Sequence, residues 1–301
     1  MPAKTTQRLA KLPAVAGGLA RVLAHIDAHL DEPLDGACLS RVAAMSRHHF
    51  HRRFAAAFGV SVLRYVRLRR LKRAAWQLAF RRQAGVAQIA LACGYDGPEA
   101  FARAFRRSTG QSPSAFRRQP QWRTWHAAYD PLMHLRSTHM QPSEQAVRIV
   151  DFPATRVAAL EHRGDPRLLG ETIARFVAWR KAHGLPPRLA ATYNIAWTDP
   201  ARTPPADYRM DLCVATAADI ADDGSGMVAK TIPPGRCAVL RHVGSDDLLG
   251  LSAQRLVRDW LPASGEARGD FPLFFQRVAF FPDVPENEAV VDLFLPLAPH
   301  G

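Results

Sequence analysis

Long apolar runs are missing from this chain. None of its 301 residues belongs to a stretch approaching the roughly 18 apolar residues of a membrane span, so a soluble protein with no membrane partner is expected. Cysteine is scarce: Cys38, Cys93, Cys213 and Cys237 lie far apart with no paired spacing. That argues against a disulfide framework or a zinc site and fits a reducing cytoplasm. The opening "MPAKTTQRLAKLPAVAGGLA" has basic residues but no continuous apolar segment with a cleavage site, and reads as a loose arm. Acidic residues are scarce in one region only. Between Leu19 and Arg118 there are 6 Asp/Glu against 18 Lys/Arg, whereas from Gln145 onward there are 19 against 17. The net charge of +13 is therefore carried by one segment, as in a nucleic-acid-binding module joined to a partner with another task.

The basic segment has helical periodicity. In "LSRVAAMSRHHFHRRFAAAFGVS" a short helix carries Leu39, Val42 and Ala43 inward, a tight turn follows near Met45, and Ser46 can cap the next helix. Phe50 and Phe54 face inward there, leaving His48, His51 and Arg52 outward. Two short helices about a tight turn make a helix-turn-helix. The pattern returns in "VAQIALACGYDGPEAFARAFRRSTGQS", with Asp96 as the expected cap. An offset of 51 superposes Phe50 on Phe101, Arg52 on Arg103, Phe54 on Phe105, Gly59 on Gly110 and Ser61 on Ser112. Between the copies, "SVLRYVRLRRLKRAAWQLAF" predicts one helix about 30 Å long, close to the ~34 Å repeat of DNA.

These residues resemble the AraC/XylS family of transcription regulators, above all in "IALACGYDGPEAFARAFRRSTGQSPSAFRR". The resemblance implies base-edge contacts by His48, His51 and Arg52 in the first copy and by Pro98, Glu99, Ala102 and Arg103 in the second. Arginine suits guanine, and glutamate can accept from cytosine. Arg64, Arg67, Arg69, Arg70, Arg106 and Arg107 are expected on phosphates or in solvent. Pro98 and Ala102 depart from the polar residues common at their positions, so the second helix is expected to read fewer bases.

Residues 119–145 have no sustained period and read as a linker, though Trp122, Trp125 and Tyr129 are available to dock on a neighbouring domain. From Val147 the pattern changes to alternation. "AALEHRGDPRLLG" at 158–170 returns as "AVLRHVGSDDLLG" at 238–250, and Val157–Val177 aligned with Cys237–Val257 gives nine identities. Each copy reads as strand, helix and hairpin, and neither could bury its sheet face alone. The repeated His162 and His242 have no Ser or Cys at a suggestive spacing and are expected to be strand-end histidines bonded to backbone, not catalytic residues.

This half resembles the GyrI-like small-molecule-binding domain, in "VLRHVGSDDLLG", "RLVRDWLPASG" and "VVDLFLPL". The resemblance implies a ligand cleft on the symmetry axis. Aligning "YNIAW" with "QRVAF" pairs Tyr193 with Gln276 and Trp197 with Phe280, and these four are the candidate ligand residues. Gln276 stands where family members often carry a glutamate, which predicts a weaker preference for cations.

The expected architecture is thus an all-α double helix-turn-helix domain (19–118), a linker (119–145) and an α+β GyrI-like domain of two strand-helix-hairpin repeats (146–298). The expected function is a cytoplasmic regulator that binds double-stranded promoter DNA and senses a small-molecule effector, with RNA polymerase as a further partner. No catalytic residue, metal or cofactor is expected. The rival readings are a GyrI-like hydrolase of reactive small compounds tethered to DNA, and a ligand-free protein-interaction module.

Overall fold

The computed structural model describes residues 12–81, 83–140, 145–281 and 283–299. The chain divides into two compact units, Met1–Gln141 and Pro142–Gly301. The first half of the expected N-terminal arm lies outside the described residues. The rest is not loose, because helix α1 begins at Leu12 and runs to Ala28.

The first unit is helical. After α1 come α2 (Gly36–Val42), α3 (Arg47–Phe58), α4 (Val62–Phe80), α5 (Val86–Ala92), α6 (Pro98–Thr109), α7 (Pro113–Arg118) and α8 (Trp122–His139). Phe50, Phe54 and Phe58 of α3 and Phe101 and Phe105 of α6 are fully or almost fully buried, as their spacing requires. Gly59 and Gly110 end α3 and α6 in the left-handed conformation, at φ 64° and 75°. Ser61 and Ser112 then cap α4 and α7, accepting the N–H of Arg64 and of Ala115. Asp96 is not the cap of α6; Gly97 holds that place and Pro98 opens the helix. The first turn is one residue shorter than the second and bends through Ala44 at φ 54°, where the second uses Gly94 at φ 71°.

The segment read as a linker is mostly α8. Its Trp122, Trp125, Tyr129 and Leu132 are buried in the same core as the phenylalanines, and residues 141–144 of it lie outside the described residues. Arg136 continues that buried stripe and, with Arg69 of α4, closes on Asp27 of α1. Arg69 Nε donates to Asp27 Oδ1 (3.0 Å) and Arg136 Nη2 to Asp27 Oδ2 (2.7 Å), while Tyr129 and Tyr65 hydroxyls accept from Arg69 and Arg136. Both guanidinium side chains are 0% exposed. Burial raises the Tyr65 phenol above its ordinary pKa. Arg69 is thus a structural residue. So is Arg70, which donates to the carbonyls of Leu30 (2.8 Å), Glu32 (2.6 Å) and Gly94 (3.0 Å), strapping the end of α1 to the second turn.

The second unit is built on an eight-stranded antiparallel sheet in the order β1-β6-β8-β7-β3-β4-β2-β5. The strands are β1 (Arg148–Phe152), β2 (Thr155–Arg163), β3 (Thr192–Ala196), β4 (Arg209–Ala215), β5 (Met227–Ile232), β6 (Gly235–Val243), β7 (Phe274–Ala279) and β8 (Val290–Pro296). Helix α9 (Leu169–Ala182) follows β2. After β6 come α10 (Leu249–Gln254), a π-helical segment (Arg255–Trp260) and α11 (Leu261–Ser264). One sheet face packs Leu160, Leu212 and Val214 under Phe176 and Trp179, and Leu240, Leu293 and Phe275 under Leu256 and Trp260. On the other face Phe152, Tyr193, Ile195, Phe274 and Phe294 cluster. Arg180, on α9, is buried without a carboxylate and donates instead to Thr192 Oγ1 and the carbonyls of Leu185 and Ala190. Desolvation lowers its pKa to about 10.

Candidate nucleic-acid interface and ligand face

On α3, burying Phe50 and Phe54 turns His48, Arg52 and Arg53 to solvent. His51 is different. It is half-buried, and a Cβ built on Gly36 would lie 2.5 Å from its Nε2, so the glycine at the start of α2 leaves room for this ring. The imidazole helps seat α3 on α2 as well as facing outward. On α6, Glu99, Arg103, Arg106 and Arg107 are exposed, as is Pro98, and Ala102 is half-buried. Glu99 lies in the first turn and Arg106 and Arg107 in the last, each favourable to the helix dipole. Arg64 and Arg67 on α4 are exposed, in contrast to Arg69 and Arg70. The nineteen residues of α4 span about 28 Å at 1.5 Å per residue. Each unit-one copy therefore presents a basic helix whose inward face is fixed by phenylalanines.

In the sheet domain, His162 and His242 occupy matching corners. His162 Nδ1 meets Thr172 Oγ1 (2.8 Å) and its Nε2 meets the Asp165 carbonyl (3.2 Å). His242 Nδ1 meets Ser252 Oγ (2.8 Å) and its Nε2 meets the Ser245 carbonyl (3.1 Å). A carbonyl can only accept, so Nε2 donates in both rings, and in the neutral tautomer Nδ1 accepts from the hydroxyl. Each hydroxyl is thereby committed to tying a helix to a strand end. Burial also lowers the His242 pKa.

Of the four candidate ligand residues, Tyr193 and Gln276 lie on β3 and β7, and Trp197 and Phe280 follow the ends of those strands. Tyr193 is buried against Phe152 and Phe274, and burial raises its pKa. Gln276, half-buried, lies directly across the β3–β7 pairing from Tyr193. The pairings with β4 and β8 place Ile195 opposite Asp211 and Gln276 opposite Asp292. A groove of about 170 Å³ opens elsewhere, beside the end of α9, between Trp179, His183, Ile220 and Asp223.

Trp197 lies in a polar cluster that sequence reasoning missed. Its indole N–H donates to Asp211 Oδ2 (2.8 Å), and Lys230 Nζ donates to the same oxygen (2.6 Å). Arg209 and Lys230 each stand 5.6 Å from the Trp197 ring centre, and Arg209 also donates to Glu161 (3.1 Å). Those bonds lower the Glu161 pKa. At the other end of the face Arg241 holds Asp292 through two 2.7 Å bonds. Among the described residues, no group of three or more His, Cys, Asp or Glu is placed to hold a metal, and no helix is long and apolar enough to cross a membrane.

Residues 145–298 match the GyrI-like small molecule binding domain, half of the chain. The chain belongs to the GyrI-like family. Residues 39–119 match a helix-turn-helix domain, so an AraC-type helix-turn-helix region precedes the GyrI-like one. The probable transcriptional regulator YgiV of Escherichia coli strain K12 is 39% identical over 153 residues, 50% of this chain and 96% of that protein. The right origin-binding protein of the same strain is 28% identical over 213 residues, 69% of this chain and 71% of that protein. Among solved structures, the DNA-binding domain of AdpA in complex with a target DNA is 36% identical, covering 35% of this chain and 97% of that chain at a TM-score of 0.32.

Proposed function

We propose that this chain is a transcription regulator that reads duplex DNA with α3 and α6 and senses a small molecule through its GyrI-like domain. The observation that carries the first part is the pair of exposed arginines, Arg52 and Arg103, at equivalent places on two helices whose phenylalanine faces are buried alike. His48 and Glu99 share that outward position, and Arg106 and Arg107 are set for phosphates. The reading domain is 19–118, steadied by α8, and the sensing domain is 146–298. Electrophoretic mobility shift on the gene's own upstream region tests the reading. Arg52→Ala and Arg103→Ala should each weaken binding by about 1–3 kcal/mol, roughly 5- to 150-fold. Unchanged affinity and specificity in both variants overturns it.

We read the sensing domain as two strand-helix-hairpin copies. The nine identities support this, as do the twin histidine corners and the strand order, which reads alike from either edge. Its ligand residues are Tyr193, Trp197, Gln276 and Phe280, with Trp197 the most accessible. A ligand that favours one arrangement of the chain changes its engagement with DNA, or with RNA polymerase, by that difference in affinity. We assign no catalytic step to this domain, because the hydroxyls beside its histidines serve as structural donors.

A further inference from the structure

Three carboxylates stand on the helix-free face of the sheet, and none is left as a bare negative charge. Asp292 is held by Arg241, Glu161 by Arg209 and Arg163, and Asp211 by Lys230 and the Trp197 indole. Around Trp197, the cations Arg163, Arg209 and Lys230 face the anions Glu161 and Asp211, an excess of one positive charge. Both donors to Asp211 reach Oδ2. Its Oδ1 has no hydrogen-bond partner, and the side chain is 0% exposed. A buried carboxylate oxygen without a donor is costly, and a group that brings one is favoured. The indole beside it is 37% exposed and shares an apolar edge with Phe271. It is the part of the cluster that can yield to an incoming ring.

We propose that the effector of this domain is a hydroxyaromatic acid. Its ring lies against Trp197 and Phe271, its hydroxyl donates to Asp211 Oδ1, and its acidic group meets Lys230 and Arg209. Such a molecule satisfies the carboxylate and takes up the excess positive charge. A quaternary lipophilic cation does neither, since it has no N–H or O–H to donate and meets two cations at the ring. The inference rests on the reading of this domain as a sensor and names the chemistry it senses.

The test is equilibrium binding to the full chain by calorimetry, with 4-hydroxybenzoate, benzoate and tetraphenylphosphonium as probes. The expected order is 4-hydroxybenzoate first, benzoate at least about tenfold weaker, and tetraphenylphosphonium without measurable binding. Asp211→Asn should abolish the advantage of the hydroxyl, so that the two acids bind alike. Lys230→Gln should weaken both acids about equally. If Asp211→Asn does not fold, the probe order on the natural chain and the Lys230→Gln result still decide the matter. Tighter binding of tetraphenylphosphonium than of 4-hydroxybenzoate overturns the proposal and leaves the sensor reading standing. No binding of either acid at millimolar concentration also overturns the proposal, and the sensor reading stands apart from it.

Discussion

In the helical domain the arginines of α3 and α6 stand in solvent, while Arg69 and Arg136 are buried together on the single carboxylate of Asp27. In the sheet domain Arg209, Arg241 and Lys230 are half-exposed or nearly so, and each closes on a carboxylate of its own. The first arrangement leaves a strong positive surface free for a polyanion. The second leaves a nearly neutralised face on which only local hydrogen-bond and charge imbalances remain. The same residue type therefore serves long-range attraction in one domain and short-range selection in the other. What separates the two is the supply of carboxylates, six against nineteen in the two regions counted from sequence.

The comparison can be broken most severely at Asp27. Asp27→Asn leaves two buried guanidinium groups without their anion and should cost about 3–5 kcal/mol. Chemical denaturation followed by helical circular dichroism measures it, with DNA binding falling as the helical domain unfolds. Asp27 and both of its arginine partners belong to the helical unit, so probe binding by the sheet domain should survive. A smaller effect sharpens the contrast between the two helix-turn-helix copies. Ala44 holds a positive φ that Gly94 holds in the second copy. Ala44→Gly should raise stability by about 1 kcal/mol, seen as a thermal midpoint a few degrees higher.

The smallest effect concerns the sheet corner. Burial holds His242 below the ordinary histidine value of 6.5, so the folded state keeps it neutral. The unfolded chain binds the proton first on acidification. The stability of the sheet domain is thus full above 6.5 and declines as pH falls below it. His242→Gln should flatten that part of the pH–stability curve while lowering stability at neutral pH, as urea titrations between pH 5 and pH 8 can show.

Much of this was legible in the sequence. Phenylalanines four apart, with Gly59 and Gly110 closing each helix, announced α3 and α6 and their outward faces. The corner histidines were legible because they came twice. The α8 helix escaped the reading of 119–145 as a linker: Trp122, Trp125, Tyr129, Leu132 and Arg136 fall at alternating steps of three and four, but Pro131 and the charged last member of the stripe obscure the period. Arg69 shares a stripe with Val62, Tyr65 and Val66, yet nothing local distinguishes an arginine with a buried partner forty residues away from one in solvent. The Asp211 cluster was beyond sequence reasoning, because Trp197, Arg209 and Lys230 meet only through the register of separate strands. Tyr193 and Gln276, paired in the sequence alignment, are direct neighbours across β3 and β7, a proximity that alignment alone does not reveal.

The most direct test of the two reading helices is footprinting on the upstream region with the natural chain, Arg52→Ala and Arg103→Ala. If α3 and α6 read successive major grooves, each variant should lose protection or base preference in one of two patches about one helical turn apart, and keep the other. Loss of the same patch in both variants, or of neither, would contradict the account.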